Sequence, residues 1–139
     1  MVIAIRILKK MLRIYYKICV DTIVKSKITN DGIWKFNTIM FMSAFLSLIF
    51  MSIIFILKRF FPEYLNFSIF SDNYIEKSLY IKLEAVIFYL IPSFVVNYYL
   101  IIYNKRYEKL LLDYKPNKGR YMLRFMVFSL VLIVVSIFV

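Results

Sequence analysis

The chain has 139 residues, of which 63% are hydrophobic, and it carries a net charge of +11. Soluble domains average roughly 45–50% apolar residues, and one of this size could not bury the apolar surface of many more. The composition therefore excludes an ordinary soluble domain. The positive charge flanks the longest apolar runs and accompanies no nucleic-acid-binding motif. We therefore expect an all-α membrane protein, a single membrane domain over 1–139, whose partners include anionic lipid headgroups and no nucleic acid.

A basic amphipathic helix is the first predicted element, and with the turn that follows it occupies the segment 1–32. At about 100° per residue its cations fall within one arc, and its aliphatic residues lie on the other side. Such a helix lies in the membrane interface, either as a passive surface helix or as a docking helix for a partner. The cations of this predicted lipid-facing surface are Arg6, Lys9, Lys10, Arg13 and Lys17.

The first transmembrane helix is predicted over the uncharged run 36–57. This run exceeds the roughly 20 helical residues that a hydrocarbon core of about 30 Å requires. Trp34, just before it, is expected at headgroup depth, which aromatic rings favour. Ser43 and Ser47 form a face of small residues that allows a second helix to approach closely. The helix leads into a predicted outer loop, 58–84, rich in aromatic residues.

The second transmembrane helix is predicted over the next uncharged run, 85–104, with a kink near Pro92. Three polar residues recur at intervals of four and share one face of this helix: Tyr89, Ser93 and Asn97. The row indicates either hydrogen bonds between helices or a polar pathway or ligand site. We favour hydrogen bonds, because no ionisable group joins the row.

A basic loop over 105–120 follows the second transmembrane helix. Its first part is predicted to continue that helix, because Tyr103, Tyr107 and Tyr114 recur at helical spacing. Proline, asparagine and glycine within 116–119 then predict a turn. The second and third transmembrane helices should therefore form a tight hairpin.

The third transmembrane helix is predicted over 121–139. Its uncharged part, 125–139, is too short to cross the bilayer unless Arg124 lies near one interface and extends its guanidinium to the headgroups. A re-entrant or interfacial helix is the alternative. Ser129 and Ser136 are seven residues apart on one face, and we expect the small or polar faces of the three helices to meet and close a bundle.

Lysine and arginine counts predict the orientation. The segment 1–35 carries eight of these cations, the loop 58–84 carries four and the loop 105–120 carries six. Under the positive-inside rule the N-terminus and the loop 105–120 are cytoplasmic, whereas the loop 58–84 and the C-terminus face the opposite side. The bias toward Ile, Lys, Phe, Tyr and Asn is typical of AT-rich bacterial genomes, so we expect a bacterial inner membrane.

The residue types that catalysis uses are scarce. The chain has no histidine, one cysteine and two glycines, and no carboxylate lies within a predicted transmembrane helix. It therefore offers no metal-ligand spacing, no glycine-rich phosphate loop and no recognisable catalytic group. We predict no catalytic residue, no metal, no cofactor and no enzymatic activity.

A run of residues from the second transmembrane helix into the basic loop carries a resemblance. It comprises Ile91-Pro92-Ser93, Asn97-Tyr98-Tyr99 and Tyr103-Asn104-Lys105-Arg106-Tyr107-Glu108-Lys109. This pattern resembles short bacterial membrane proteins with three transmembrane helices and no assigned function. The resemblance implies the same topology and supplies no activity.

Two functions fit these expectations. The first is a small non-enzymatic membrane protein that binds another membrane protein, either as an accessory or assembly subunit or as an immunity-type protein. The second is a pore-forming protein, such as a holin-like or abortive-infection effector. Three helices cannot enclose a water-filled path alone, so the second function requires a homo-oligomer.

Overall fold

The computed structural model describes residues 2–61 and 86–138, and within those ranges it contains helices and no strand. The described residues form five α-helices: α1 Val2–Thr29, α2 Trp34–Phe60, α3 Ile91–Asn97, α4 Arg106–Asp113 and α5 Arg120–Phe138. In this part of the chain three helical segments are long and apolar enough to cross a membrane, namely Trp34–Phe60, Ile87–Asp113 and Arg120–Phe138. The predicted all-α membrane fold is therefore confirmed. The predicted outer loop lies outside the described residues, except for 58–61.

The turn between α1 and α2 lies close to where the sequence predicts it. The Asn30 N–H donates to the Ser26 carbonyl at 2.9 Å, and α2 begins at Trp34. Trp34 is buried, with its ring centroid 5.1 Å from that of Tyr107 and 4.6 Å from the Lys27 ammonium. It therefore packs α1, α2 and α4 together, where the sequence suggested only an anchor at headgroup depth.

The second transmembrane segment is irregular around Pro92. A π-helical turn, Val86–Leu90, precedes α3, and another, Tyr98–Ile102, follows it. Because proline lacks an N–H and its ring crowds the preceding turn, the ordinary α-helical bonding cannot run through this region unchanged. The kink that Pro92 predicts takes this form.

The helix predicted to continue from the second transmembrane segment to Tyr114 is broken. Asn104 and Lys105 adopt left-handed backbone conformations, with φ values of 52° and 53°. A right-handed helix cannot pass through such residues, so α4 starts in a new direction at Arg106. Of the three tyrosines on which the prediction rests, Tyr103 precedes the break, Tyr107 lies within α4, and Tyr114 follows α4 in an extended conformation.

The apolar core lies where the second half of α1 packs against α2, α5 and the segment 86–102. α2 packs along α5 and along the helical segment 86–102, and α1 packs against α2, α4 and α5. The buried apolar cluster consists of Ile18, Cys19 and Ile23 from α1, Trp34 and Met42 from α2, Ile101, and Phe125 from α5. α1 is thus part of the bundle, and its contacts determine where the polar groups lie.

The two halves of α1 have opposite environments. Every side chain from 3 to 14 is exposed, whereas every side chain from 18 to 23 is buried. Six consecutive residues of a helix point in all directions around its axis, so 18–23 are enclosed on every side. The predicted interfacial helix describes 3–14 only, because its continuation enters the core.

Candidate functional site

A buried amide joins three helices at the centre of the bundle. Asn97 is fully buried, and its Oδ1 accepts a hydrogen bond from the Tyr15 hydroxyl of α1. Its Nδ2 donates to Ser43 Oγ of α2 at 3.3 Å and to the Ser93 carbonyl of α3 at 2.9 Å. The amide donors and the acceptor oxygen all have partners within the chain, as burial demands.

The rest of the predicted polar row belongs to the same helix. Ser93 is fully buried, and its hydroxyl donates to the Tyr89 carbonyl at 2.6 Å. A serine hydroxyl that donates to the carbonyl four residues earlier has its hydrogen-bond partner within its own helix. The structure therefore places Tyr89, Ser93 and Asn97 in sequence along one hydrogen-bonded strip, with Asn97 making the contacts to other helices.

The predicted serine faces separate into two kinds. Ser43 meets Asn97, but Ser47 is half-exposed and donates to the Ala44 carbonyl at 2.7 Å. Ser129 and Ser136 are buried in α5, and their hydroxyls donate to carbonyls of that helix at 2.8 Å. The side chains of Ser43 and Asn97 thus form a hydrogen bond between two transmembrane segments, as predicted. The serines of α5 contribute their small size to the packing instead.

Asp21 is a site residue that the sequence analysis did not identify. It is 1% exposed, and its carboxylate accepts the N–H of Asn117 and, at 2.8 Å, the N–H of Tyr121. The Tyr121 amide lies in the first turn of α5, where helix N–H groups lack partners and the helix dipole favours a negative charge, and the Asn117 amide lies just before the turn that leads into the helix. The chain turns there through Lys118 and Gly119, which have φ values of 51° and 81°. Asp21 therefore caps α5 from a distant part of the sequence.

Two ionisable groups of α1 are held protonated by burial. Desolvation raises the pKa of the Tyr15 hydroxyl, and the neighbouring Cys19 thiol adds a smaller effect in the same direction. Desolvation likewise raises the pKa of the Cys19 thiol, which is fully buried. At neutral pH Tyr15 is therefore a hydrogen-bond donor and Cys19 is an unreactive apolar side chain.

Two threonines lie where α1 crosses α2. Thr22 donates to the Ile18 carbonyl at 2.9 Å and lies 3.5 Å from the sulfur of Met42. The Thr38 hydroxyl is buried and has no hydrogen-bond partner among the described residues. A buried hydroxyl without a partner is destabilising, so Thr38 is a weak point of this interface.

Four of the five predicted lipid-facing cations are exposed on the surface of the chain. Arg6, Lys9, Lys10 and Arg13 are exposed on α1, whereas Lys17 is half-buried with its ammonium 5.9 Å from the Tyr121 ring centroid. Lys17 thus packs against α5 and does not share the open face of the other four.

Arg124 is exposed at the edge of an apolar groove between α1 and α5. The groove has a volume of about 520 Å³. Its other lining residues include Met11, Ile14, Ile18, Tyr121, Phe125 and Phe128. The guanidinium therefore borders an apolar surface that the described helices leave uncovered.

Metal ligands do not gather in this bundle. Within 2–61 and 86–138, no three His, Cys, Asp or Glu side chains come close enough to hold a metal ion together. The geometry instead provides a buried hydrogen-bond network, an open basic face and an uncovered apolar groove. Comparison of the chain with protein-family models, with curated proteins and with solved structures finds no match.

Proposed function

We propose that this protein acts by binding another membrane protein, as an accessory or immunity-type subunit, and not by catalysis. The buried Asn97 amide and Asp21 carboxylate support this proposal because their hydrogen-bonding groups are already occupied within the chain. Asn97 bonds to three neighbours and Asp21 caps α5, so both serve the fold. The recognition surface must then lie on the outside of the bundle.

The observation that carries the proposal is the uncovered apolar groove between α1 and α5. Its lining is aromatic and aliphatic, and Arg124 stands at its edge. Helices of partner proteins bind such grooves through an apolar face. A cation beside the groove favours a partner helix that bears a carboxylate. We therefore assign the groove to an apolar helix of a second membrane protein with an acidic residue near its end.

The orientation proposed for the protein places α1 and α4 on the cytoplasmic side of a bacterial inner membrane. Fourteen of the nineteen lysines and arginines lie in 1–35 and 105–120. The contacts of Trp34 with Tyr107 and of Asp21 with Tyr121 bring these two segments to one end of the bundle. A concentration of cations at one end is the charge pattern of a cytoplasmic face.

Single cysteines test this orientation. In a Cys19→Ser background, Leu112→Cys places a thiol on α4 and Phe138→Cys places one at the end of α5, and both positions are more than 80% exposed. A membrane-impermeant thiol reagent added to intact cells should label position 138 and should reach position 112 only after permeabilisation. Labelling of position 112 in intact cells would refute the proposed orientation.

Photo-crosslinking tests the groove. A photoreactive residue at Ile14, in the groove, is compared with one at Val131 on α5, because the two side chains are 51% and 54% exposed. We expect one protein adduct from position 14 and lipid adducts from position 131. The protein identified by mass spectrometry should then co-purify with the intact chain at fixed stoichiometry, and Ile14→Glu should abolish that complex.

The alternative function predicts different products. Crosslinks of the chain to itself, a ring by size-exclusion chromatography and dye leakage from vesicles would favour a pore-forming homo-oligomer and overturn the proposal. Adducts with lipid alone at position 14 would also overturn it, because the groove would then be an ordinary lipid contact.

A further inference from the structure

Two tyrosines from distant parts of the chain form a wall between two basic concavities. Tyr16 of α1 and Tyr114, just after α4, are both half-buried, with ring centroids 5.9 Å apart and planes tilted by 47°. Both rings line each concavity. The tyrosine wall therefore has cations on both sides, an arrangement that only the packing of α1 on α4 creates.

The first concavity is the more strongly charged. It has a volume of about 380 Å³ and lies along the exposed half of α1. Its cationic lining is Arg6, Lys9, Lys10 and Arg13. Arg6 and Arg13 are each three or four residues from Lys9 and Lys10, so these charges converge on one side of the helix. Among the described residues no carboxylate lines this concavity, and it suits a phosphate group.

The second concavity has mixed charge. It has a volume of about 390 Å³ and is lined by Arg106 and Lys109 of α4, with Asp113 beside them. The Arg106 Nη1 donates to the Tyr99 carbonyl at 3.2 Å, which holds the guanidinium near the second transmembrane segment. Leu100 and Leu110 form its apolar lining. One negative charge offsets one of the two cations, so this side suits a single phosphate that is attached to an apolar group.

We propose that the two concavities together bind the headgroup of an anionic phospholipid with two phosphates, with one phosphate on each side of the tyrosine wall. Basic pockets between helices at the cytoplasmic face are recognised sites for such headgroups. The lipid source is favoured over a free phosphate because leucines line both concavities beside the cations. The site is separate from the groove at Arg124 and needs no partner protein there, although its place at the cytoplasmic face rests on the proposed orientation.

The test measures how lipids stabilise the purified full-length chain in detergent. A thiol-reactive fluorogenic dye reports unfolding through Cys19, the one cysteine of the chain and fully buried. The added probes are diphosphatidylglycerol, phosphatidylglycerol at equal phosphate concentration, and inorganic pyrophosphate. A ligand that binds only the folded state raises the midpoint of unfolding in proportion to its occupancy. We expect a saturable rise with diphosphatidylglycerol that the other two probes do not reproduce.

Charge-neutralising variants locate the site. Lys9→Gln with Arg13→Gln should weaken diphosphatidylglycerol binding roughly 30-fold, from a factor of about five for each cation. Arg106→Gln with Lys109→Gln should weaken it by a similar factor, and Asp113→Asn should strengthen it. Lys25→Gln with Lys115→Gln is the matched control, because it removes two cations from the same end of the bundle outside both concavities.

Each possible result decides the proposal. Equal stabilisation by phosphatidylglycerol would show that the site does not select two phosphates, and equal stabilisation by pyrophosphate would show that it takes a free anion. A control variant as weak as the concavity variants would mean that general charge attraction is responsible. Any of these results would overturn the proposal. Because the substituted cations are exposed, all variants should unfold at the parent midpoint when no lipid is added.

Discussion

The two halves of α1 are both helical, but they differ in burial and in the residues that surround them. Ile7 in the first half exposes 54% of its surface, whereas Ile23 in the second half exposes none. The first half presents cations to one side and apolar residues to the other. The second half is enclosed by α2, α4 and α5 and contributes both an apolar core and two polar contacts, from Tyr15 and Asp21.

The difference teaches that helical amphipathicity and burial are separate properties. An amphipathic pattern describes how residues are distributed around an axis, and it says nothing about what lies on each side. In α1 the pattern weakens beyond Lys17, because the buried stretch 18–23 includes Asp21 and Thr22. The loss of the amphipathic pattern beyond Lys17 marks the point where α1 passes from the surface into the core.

The largest expected effect contrasts two identical residues in the two halves. Ile23→Ala should lower the free energy of unfolding by about 3 kcal/mol, because it leaves a cavity in a fully buried cluster. Ile7→Ala should change it by less than about 0.5 kcal/mol. Thermal unfolding reported by dye labelling of Cys19 measures both. Similar losses in the two variants would contradict the division of α1.

The next effect concerns the cap on α5. Asp21→Ala should lower the free energy of unfolding by about 2 kcal/mol, because the Tyr121 amide in the first turn of α5 and the Asn117 amide before it lose their acceptor. The matched control is Asp31→Ala, which removes an exposed carboxylate from the turn after α1. The same labelling assay measures both variants. An unchanged midpoint in Asp21→Ala would show that water replaces the carboxylate without loss.

A double-mutant cycle tests the contact between α1 and the second transmembrane segment. Tyr15→Phe and Asn97→Ala each remove one side of the hydrogen bond, and we expect a coupling free energy of about 1 kcal/mol between them. The cycle uses the unfolding midpoints of the parent, the two single variants and the double variant. Strictly additive effects would mean that the two side chains do not stabilise each other.

The smallest expected effect has the opposite sign. Thr38→Val should raise the free energy of unfolding by about 0.5–1 kcal/mol, because it removes a buried hydroxyl that lacks a partner in the described chain and keeps the shape of the side chain. Thr29→Val is the control, since the Thr29 hydroxyl is exposed and bonds to the Lys25 carbonyl. Destabilisation by Thr38→Val would show that this hydroxyl has an acceptor.

The sequence predicts the transmembrane segments well because their signal is local. An uncharged run of sufficient length must satisfy its backbone within itself, and a helix does so without help from distant residues. The run 36–57 lies within α2, and 121–138 lies within α5. The row at Ser93 and Asn97 was also visible, because four-residue spacing is a property of the helix that contains it.

The parts that the sequence did not predict depend on contacts between distant segments. The partners of Asp21 lie 96 and 100 residues further along the chain, and its neighbours Lys17 and Lys25 suggest ordinary ion pairs on a helix surface. Ser43 and Ser47 look equivalent in sequence, and only the position of Asn97 distinguishes them. The break at Asn104 and Lys105 has only a weak local signal, because asparagine tolerates the left-handed conformation whereas lysine ordinarily favours the right-handed helix.

The cap that Asp21 places on α5 has a consequence for biosynthesis. α1 is translated before α5, yet the backbone amides that donate to its Asp21 carboxylate belong to residues 117 and 121. Until those residues have been translated, the carboxylate has no better partner than water. The docking of α1 is therefore completed only when the start of α5 has been made. Synthesis that stalls before residue 121 would leave α1 without this contact and more open to chaperones and proteases.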